Sequence, residues 1–206
     1  MRLFGFGKSS KRAQGSIGYF GLEDWWLTAF CDDERQHIQR TFQPLGDSGD
    51  SLTSGAISHT RQTAVGLLGA LAGWFNGPED RSIAHKILDK AVELSKDAPA
   101  LGVHFLYQQM IQTYYKDREK SEYMDKAVGA CRKQIALAPH AACAFKAEYS
   151  KEPLPEHKGY KQLAIILEKQ GRFQDAIELS RQAESQGWAG DWVRRVERCE
   201  TKLQKA

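Results

Sequence analysis

Proline numbers only 6 and glycine 18 among 206 residues, which excludes collagen-like and low-complexity chains. The four cysteines, Cys31, Cys131, Cys143 and Cys199, lie far apart and form no CxxC pair. Neither a disulfide framework nor a dithiol redox motif is legible in them, and reduced thiols in a cytoplasmic protein are expected. No alternation of apolar and polar residues runs long enough to suggest a half-buried strand. No apolar run reaches membrane length either. The uncharged stretch 62–78 is apolar only from Ala64 to Phe75, against the roughly 20 residues that a span needs. After Arg2, the short apolar segment Leu3–Gly7 falls below the roughly 7–15 residues of a secretory core, so no leader is expected.

A strong charge of one sign is also missing. The formal net charge is +3, but Arg2, Lys8, Lys11 and Arg12 precede the first acidic residue, Glu23. Without those four, 25 cations face 26 anions, a balance unsuited to gripping a phosphate backbone, so nucleic acid is not the expected partner. The tip itself, residues 1–16, reads as a flexible basic tail. Its four charges and two phenylalanines suit at most a weak, salt-sensitive contact with an anionic membrane.

Convergent chemistry is scarce. The six histidines, His37, His59, His85, His104, His140 and His157, form neither HExxH nor a Cys/His zinc pattern, so no metal ligand set is assigned. Gly5-Phe6-Gly7-Lys8-Ser9-Ser10 echoes the end of a phosphate loop but lacks its first glycine and a preceding strand. Glu23-Asp24 and Asp32-Asp33-Glu34 read as capping and dipole residues at helix starts, not as an acid–base pair. No catalytic residue and no cofactor is expected.

What remains is helical. Residues 17–45 crowd Phe20, Leu22, Trp25, Trp26, Leu27 and Phe30 together, followed by a short helix through Ile38 that Asp32 or Asp33 caps. This is a helical cap segment, joined by a linker at 46–60 to a helical domain at 61–206. Within that domain the expected helices cover roughly 81–96, 102–116, 122–137, 158–170, 173–186 and 191–204. Pro139 is expected to close one of them and 140–156 to be an insertion. In the last helix, Trp192, Val196, Cys199 and Leu203 fall on one stripe behind an Asp191 cap, while Arg194, Arg195, Arg198 and Lys202 fall on wet faces.

Tyr160, Leu163, Ala164 and Leu167, then Gly171 and Phe173, then Ala176, Ser180 and Ala183, stand at the spacing of a tetratricopeptide repeat. The segment resembles one closely. Tyr107, Met110, Ile111 and Tyr114, with Ala127, Cys131 and Pro139, resemble a second copy in which Gln134 replaces a small residue. Leu67, Ala70, Leu71 and Trp74, with Ala84, Leu88 and Ala91, resemble a third. The resemblance implies an all-α fold, a short right-handed superhelix of antiparallel helix pairs, with the aromatic segment and the final helix capping its ends. An irregular helical bundle is the alternative.

The family's concave groove is lined by the outer side of each first helix. Carried onto this chain, it presents Phe105, Gln108, Gln112, Tyr115 and Lys116 from the middle repeat. From the last it presents Lys158, Lys161, Ile165, Glu168 and Lys169. In the first repeat the corresponding face is Val65, Leu68, Ala72 and Phe75. Amides, ammoniums and aromatics in that mixture suit a protein or peptide partner. The expected function is a non-catalytic adaptor or scaffold. Two rivals stay open: a homo-oligomeric structural protein, and a small-ligand sensor or enzyme with a pocket beside Trp25-Trp26.

Overall fold

The computed structural model describes residues 14–44 and 51–205. Most of the expected basic tail, residues 1–13, and residues 46–50 of the expected linker lie outside the described residues. Those described form ten α-helices and no strand, with one isolated bridge between Glu156 and Ala189. The chain divides into two compact units, Met1–Gln62 and Thr63–Ala206.

The first unit holds α1 (Gly15–Tyr19), α2 (Glu23–Ala29) and α3 (Asp32–Thr41). Its core gathers Ile17, Leu22, Trp26, Phe30, Ile38, Phe42 and Leu52, all buried. Trp26 packs on Phe30 with centroids 5.5 Å apart, which places it in this core. Residues 14–16, expected in the tail, pair with 51–55, expected in the linker: Gln14 N–H donates to Thr53 O, Gly15 N–H to Gly55 O and Ser16 N–H to Ser51 O. Gly15 makes that pairing feasible. Its φ is +61°, and a Cβ there would collide with the Ser51 carbonyl oxygen. The expected cap shifts by one residue. Cys31 precedes α3, and its N–H donates to Glu34 Oε2 at 2.9 Å, while Asp32 pairs with Arg35 instead.

In the second unit the helices pair in series. α4 (Ala64–Gly73) packs on α5 (Arg81–Glu93), α6 (Ala100–Tyr114) on α7 (Ser121–Glu148), and α8 (Lys158–Lys169) on α9 (Phe173–Ser185). α10 (Trp192–Leu203) packs on α9, and α6 touches both α4 and α8. The small residues at second-helix positions, Ala84, Ala91, Ala127, Cys131, Ala176, Ser180 and Ala183, are fully buried, as close helix contact requires.

Three expectations are corrected. Pro139 does not end its helix: α7 continues to Glu148, so 140–148 is helix and only the stretch after it is irregular. The missing N–H and ring clash of an interior proline cost about 3 kcal/mol. Ala138, Ala141 and Phe145, buried with Tyr160, Ala183, Trp188 and Trp192, hold the helix together across it, while Pro139 itself faces water. Second, α4 keeps the repeat frame only in part. Leu67 and Leu71 are buried as expected, but so are Val65, Leu68, Ala72 and Phe75 of the expected groove face, whereas Trp74 and Ala70 are exposed. AVGLLGALAG has no polar side chain, so periodicity carries no information about which face turns inward. Third, α10 buries Arg195 and exposes Leu203, because Arg195 finds a carboxylate partner in α8.

Candidate functional site

Arg81, at the start of α5, ties two loops together. Its Nε lies 2.8 Å from both Asp117 oxygens, and its Nη1 donates to Asn76 O at 3.2 Å. Asp117 closes the 3-10 turn Tyr115–Asp117 that follows α6, so that turn and the loop after α4 are fixed side by side. His85 Nε2 stands 3.6 Å from Asp117 Oδ2, yet burial holds its pKa below the ordinary value against that carboxylate's pull.

The first turn of α8 is positioned just as firmly. Gln134, inside α7, donates from Nε2 to His104 O at 3.0 Å and accepts at Oε1 from Gly159 N–H at 2.7 Å. His157, preceding α8, accepts at Nδ1 from Tyr160 N–H at 3.3 Å. Gly159 allows the close approach: a Cβ there would stand 2.9 Å from Cys131 O and from Gln134 Oε1. The result aims Lys158 and Gln162 at the end of α6.

There Ile111, Gln112, Tyr115, Lys116, Lys158, Gln162 and Asn76 line a recess of about 280 Å³. Two lysines and no carboxylate line it, which makes its field positive. Two buried polar atoms of its lining, Gln162 Nε2 and Asn76 Oδ1, have no hydrogen-bond partner among the described residues. Both atoms are closed to solvent, so the polar groups that the recess offers are those of Gln112, Lys116 and Lys158.

Four of the ten sequence-predicted residues, Gln112, Tyr115, Lys116 and Lys158, therefore meet in one place. Three more, Ile165, Glu168 and Lys169, line a second recess of about 280 Å³ with Arg195, Arg198 and Lys202. Lys169 Nζ donates to Tyr115 Oη at 3.4 Å and so links the two. Phe105 and Gln108 line a third, apolar recess of about 290 Å³ with Val65, Gly66, Gly69 and Leu106. Lys161 lines none of the three; its Nζ pairs with Glu156 Oε2 at 2.5 Å. Glu168 is not an open groove carboxylate, since Arg195 and Arg198 occupy it. Burial raises its pKa, but those two guanidiniums outweigh burial and hold it below the usual range.

Sequence reasoning missed Asn76, Ile111 and Gln162, together with the basic face of α10. Gln162 lies four residues after Lys158, on the same helix face, and that spacing could have found it. Arg195, Arg198 and Lys202 carry the comparable signal at i, i+3 and i+7. Nothing in the sequence signals that Asn76, 35 positions before Ile111 in chain numbering, joins them.

No protein-family model matches this chain, and no curated protein or solved structure matches it.

Proposed function

We propose that this chain is a non-catalytic adaptor of tetratricopeptide-repeat type that binds a peptide segment of a partner protein in the recess between α6 and α8. The observation that carries the reading is the recess in which Lys116 and Lys158 meet Gln112 and Tyr115 with no carboxylate in the lining. The exposed Gln112 amide suits a peptide backbone, and the lysines suit an acidic side chain. The serial pairing of helices and the buried small residues on α7 and α9 support the repeat assignment, with α10 closing the array. The burial of Val65, Leu68, Ala72 and Phe75 beside Leu67 and Leu71 leaves the first pair as a departure from the repeat pattern.

The test is affinity selection of displayed decapeptides on the full chain, followed by titration of the recovered peptides against variants. Lys158→Glu, at a half-buried surface position, is expected to weaken binding by about tenfold or more, as loss of a charged hydrogen bond does. Gln112→Ala, at an exposed position, is expected to act in the same direction. Peptides whose affinity ignores both changes would sink the reading.

A further inference from the structure

We propose that the second recess, where the end of α8 meets α10, is a phosphate site that receives a phosphorylated side chain of the peptide bound by the chain. The source of the phosphate rests on the peptide-binding reading; the anion site does not. Lys169, Arg195, Arg198 and Lys202 surround one carboxylate, Glu168. That carboxylate is largely taken up by two arginines. Its Oε1 accepts from Arg195 and, at 3.1 Å, from Arg198 Nη2; its Oε2 accepts from Arg198 Nε at 3.1 Å with Lys202 Nζ 3.8 Å away. A carboxylate offers about two acceptor positions per oxygen, so the two guanidiniums fill about three of the four on Glu168 and leave the Lys169 and Lys202 ammoniums without a hydrogen bond to it. Asp191 lies 3.5 Å from Arg195 and offsets one more charge. Two positive charges are left over.

That excess matches a phosphate monoester, which carries about −1.5 to −2, and exceeds what one carboxylate would neutralise. Both guanidiniums are engaged by Glu168, so the donors left for such an oxyanion are the ammoniums of Lys169 and Lys202. Helix dipoles give a competing account of Lys169 and Lys202, which stand in the last turns of α8 and α10. They do not bear on Arg195, which Glu168 draws inward, so the charge left over falls on the exposed Lys169 and Lys202. The two lysines are also held in place: Lys202 Nζ sits 5.4 Å from the Phe173 ring centroid and Lys169 Nζ 6.0 Å from that of Tyr115. Because Lys169 reaches Tyr115 of the first recess, one peptide can fill both.

Inorganic phosphate is titrated into the full chain at constant ionic strength, with the backbone amides of α10 followed by NMR. Saturable shifts over Arg195–Lys202 are expected, and Lys169→Gln and Lys202→Gln, both at exposed positions, should each weaken binding by about fivefold without unfolding the chain. Absence of saturation, or affinity indifferent to both variants, overturns the site. A second arm compares capture of random decapeptides bearing a central phosphoserine with the same mixture bearing serine. Enrichment of the phosphorylated form, lost in Lys202→Gln, supports the assignment. Phosphate binding without enrichment overturns the peptide source and points to a free phosphorylated small molecule. Lys158→Glu leaves inorganic phosphate binding intact, so failure of the peptide recess and failure of the anion site give different results.

Discussion

The imidazoles of His104 and His157 meet at 5.1 Å, centroid to centroid and nearly perpendicular, inside the second unit. Trp188 stacks on His104 at 5.7 Å and lies edge-on to His157 at 4.7 Å. Burial pushes His104 down to about 4, and burial with the neighbouring His104 brings His157 to about 3. Both rings are neutral at pH 7. Their folded values lie below the ordinary 6.5, so the unfolded chain takes up more protons as the medium becomes acidic. Stability from this pair is therefore complete above about pH 6.5 and declines towards pH 4, by up to about 2.5 kcal/mol per pH unit near pH 5. Urea unfolding from pH 4 to 8 measures the slope, and His104→Leu is expected to cut it by about half. A slope unchanged in that variant would assign the acid sensitivity to other groups.

Gln134 is the hub between α6, α7 and α8. Gln134→Ala leaves the buried Gly159 N–H without its acceptor and is expected to cost about 2–4 kcal/mol. Gly159→Ala forces α8 away from α7 and is expected to cost about 1–3 kcal/mol. Both are read by chemical denaturation, and both should also weaken peptide binding because Lys158 and Gln162 move with α8.

The first unit depends on one backbone angle. Gly15→Ala meets both the positive φ and the Ser51 carbonyl, and should lose about 1–3 kcal/mol locally. Hydrogen exchange at Ser16 and Ile17, whose amides donate to Ser51 and Leu52, should accelerate accordingly. Unchanged protection there would contradict the pairing of 14–17 with 51–55.

Pro139 sits on the exposed side of α7. Pro139→Ala restores a helical N–H and is expected to raise stability by about 1–3 kcal/mol. A loss of stability would show that the proline shapes the packing of Ala138 and Ala141.

The thiols divide by burial. Cys31 and Cys143 are exposed, while Cys131 is buried and its thiol is pushed up to about 12 by burial. Cys199 is also buried, and burial followed by the Glu168 charge raises its pKa. A thiol reagent at pH 8 should modify two cysteines quickly and the other two only after denaturation. Rapid reaction of all four would place both Cys131 and Cys199 at the surface.

The sequence by itself determined that the described chain is helical, where most helices lie and which small residues the second helices bury. Those features are local, since caps, glycine turns and the 3.6-residue period act within a dozen residues. That Gln112, Tyr115 and Lys116 come together at the end of α6 was also legible, because a helix period fixes which side chains share a face. Tertiary structure alone decided the rest. It chose the inward face of α4, where every side chain is apolar and no period discriminates. It carried α7 through Pro139, because burial on the far side outweighs a local penalty. It drew Arg195 inward, because Glu168 waits on a helix 27 positions earlier. And it set Asn76 beside Gln162, because pairing between distant charged and polar groups depends on contacts that no sequence interval encodes.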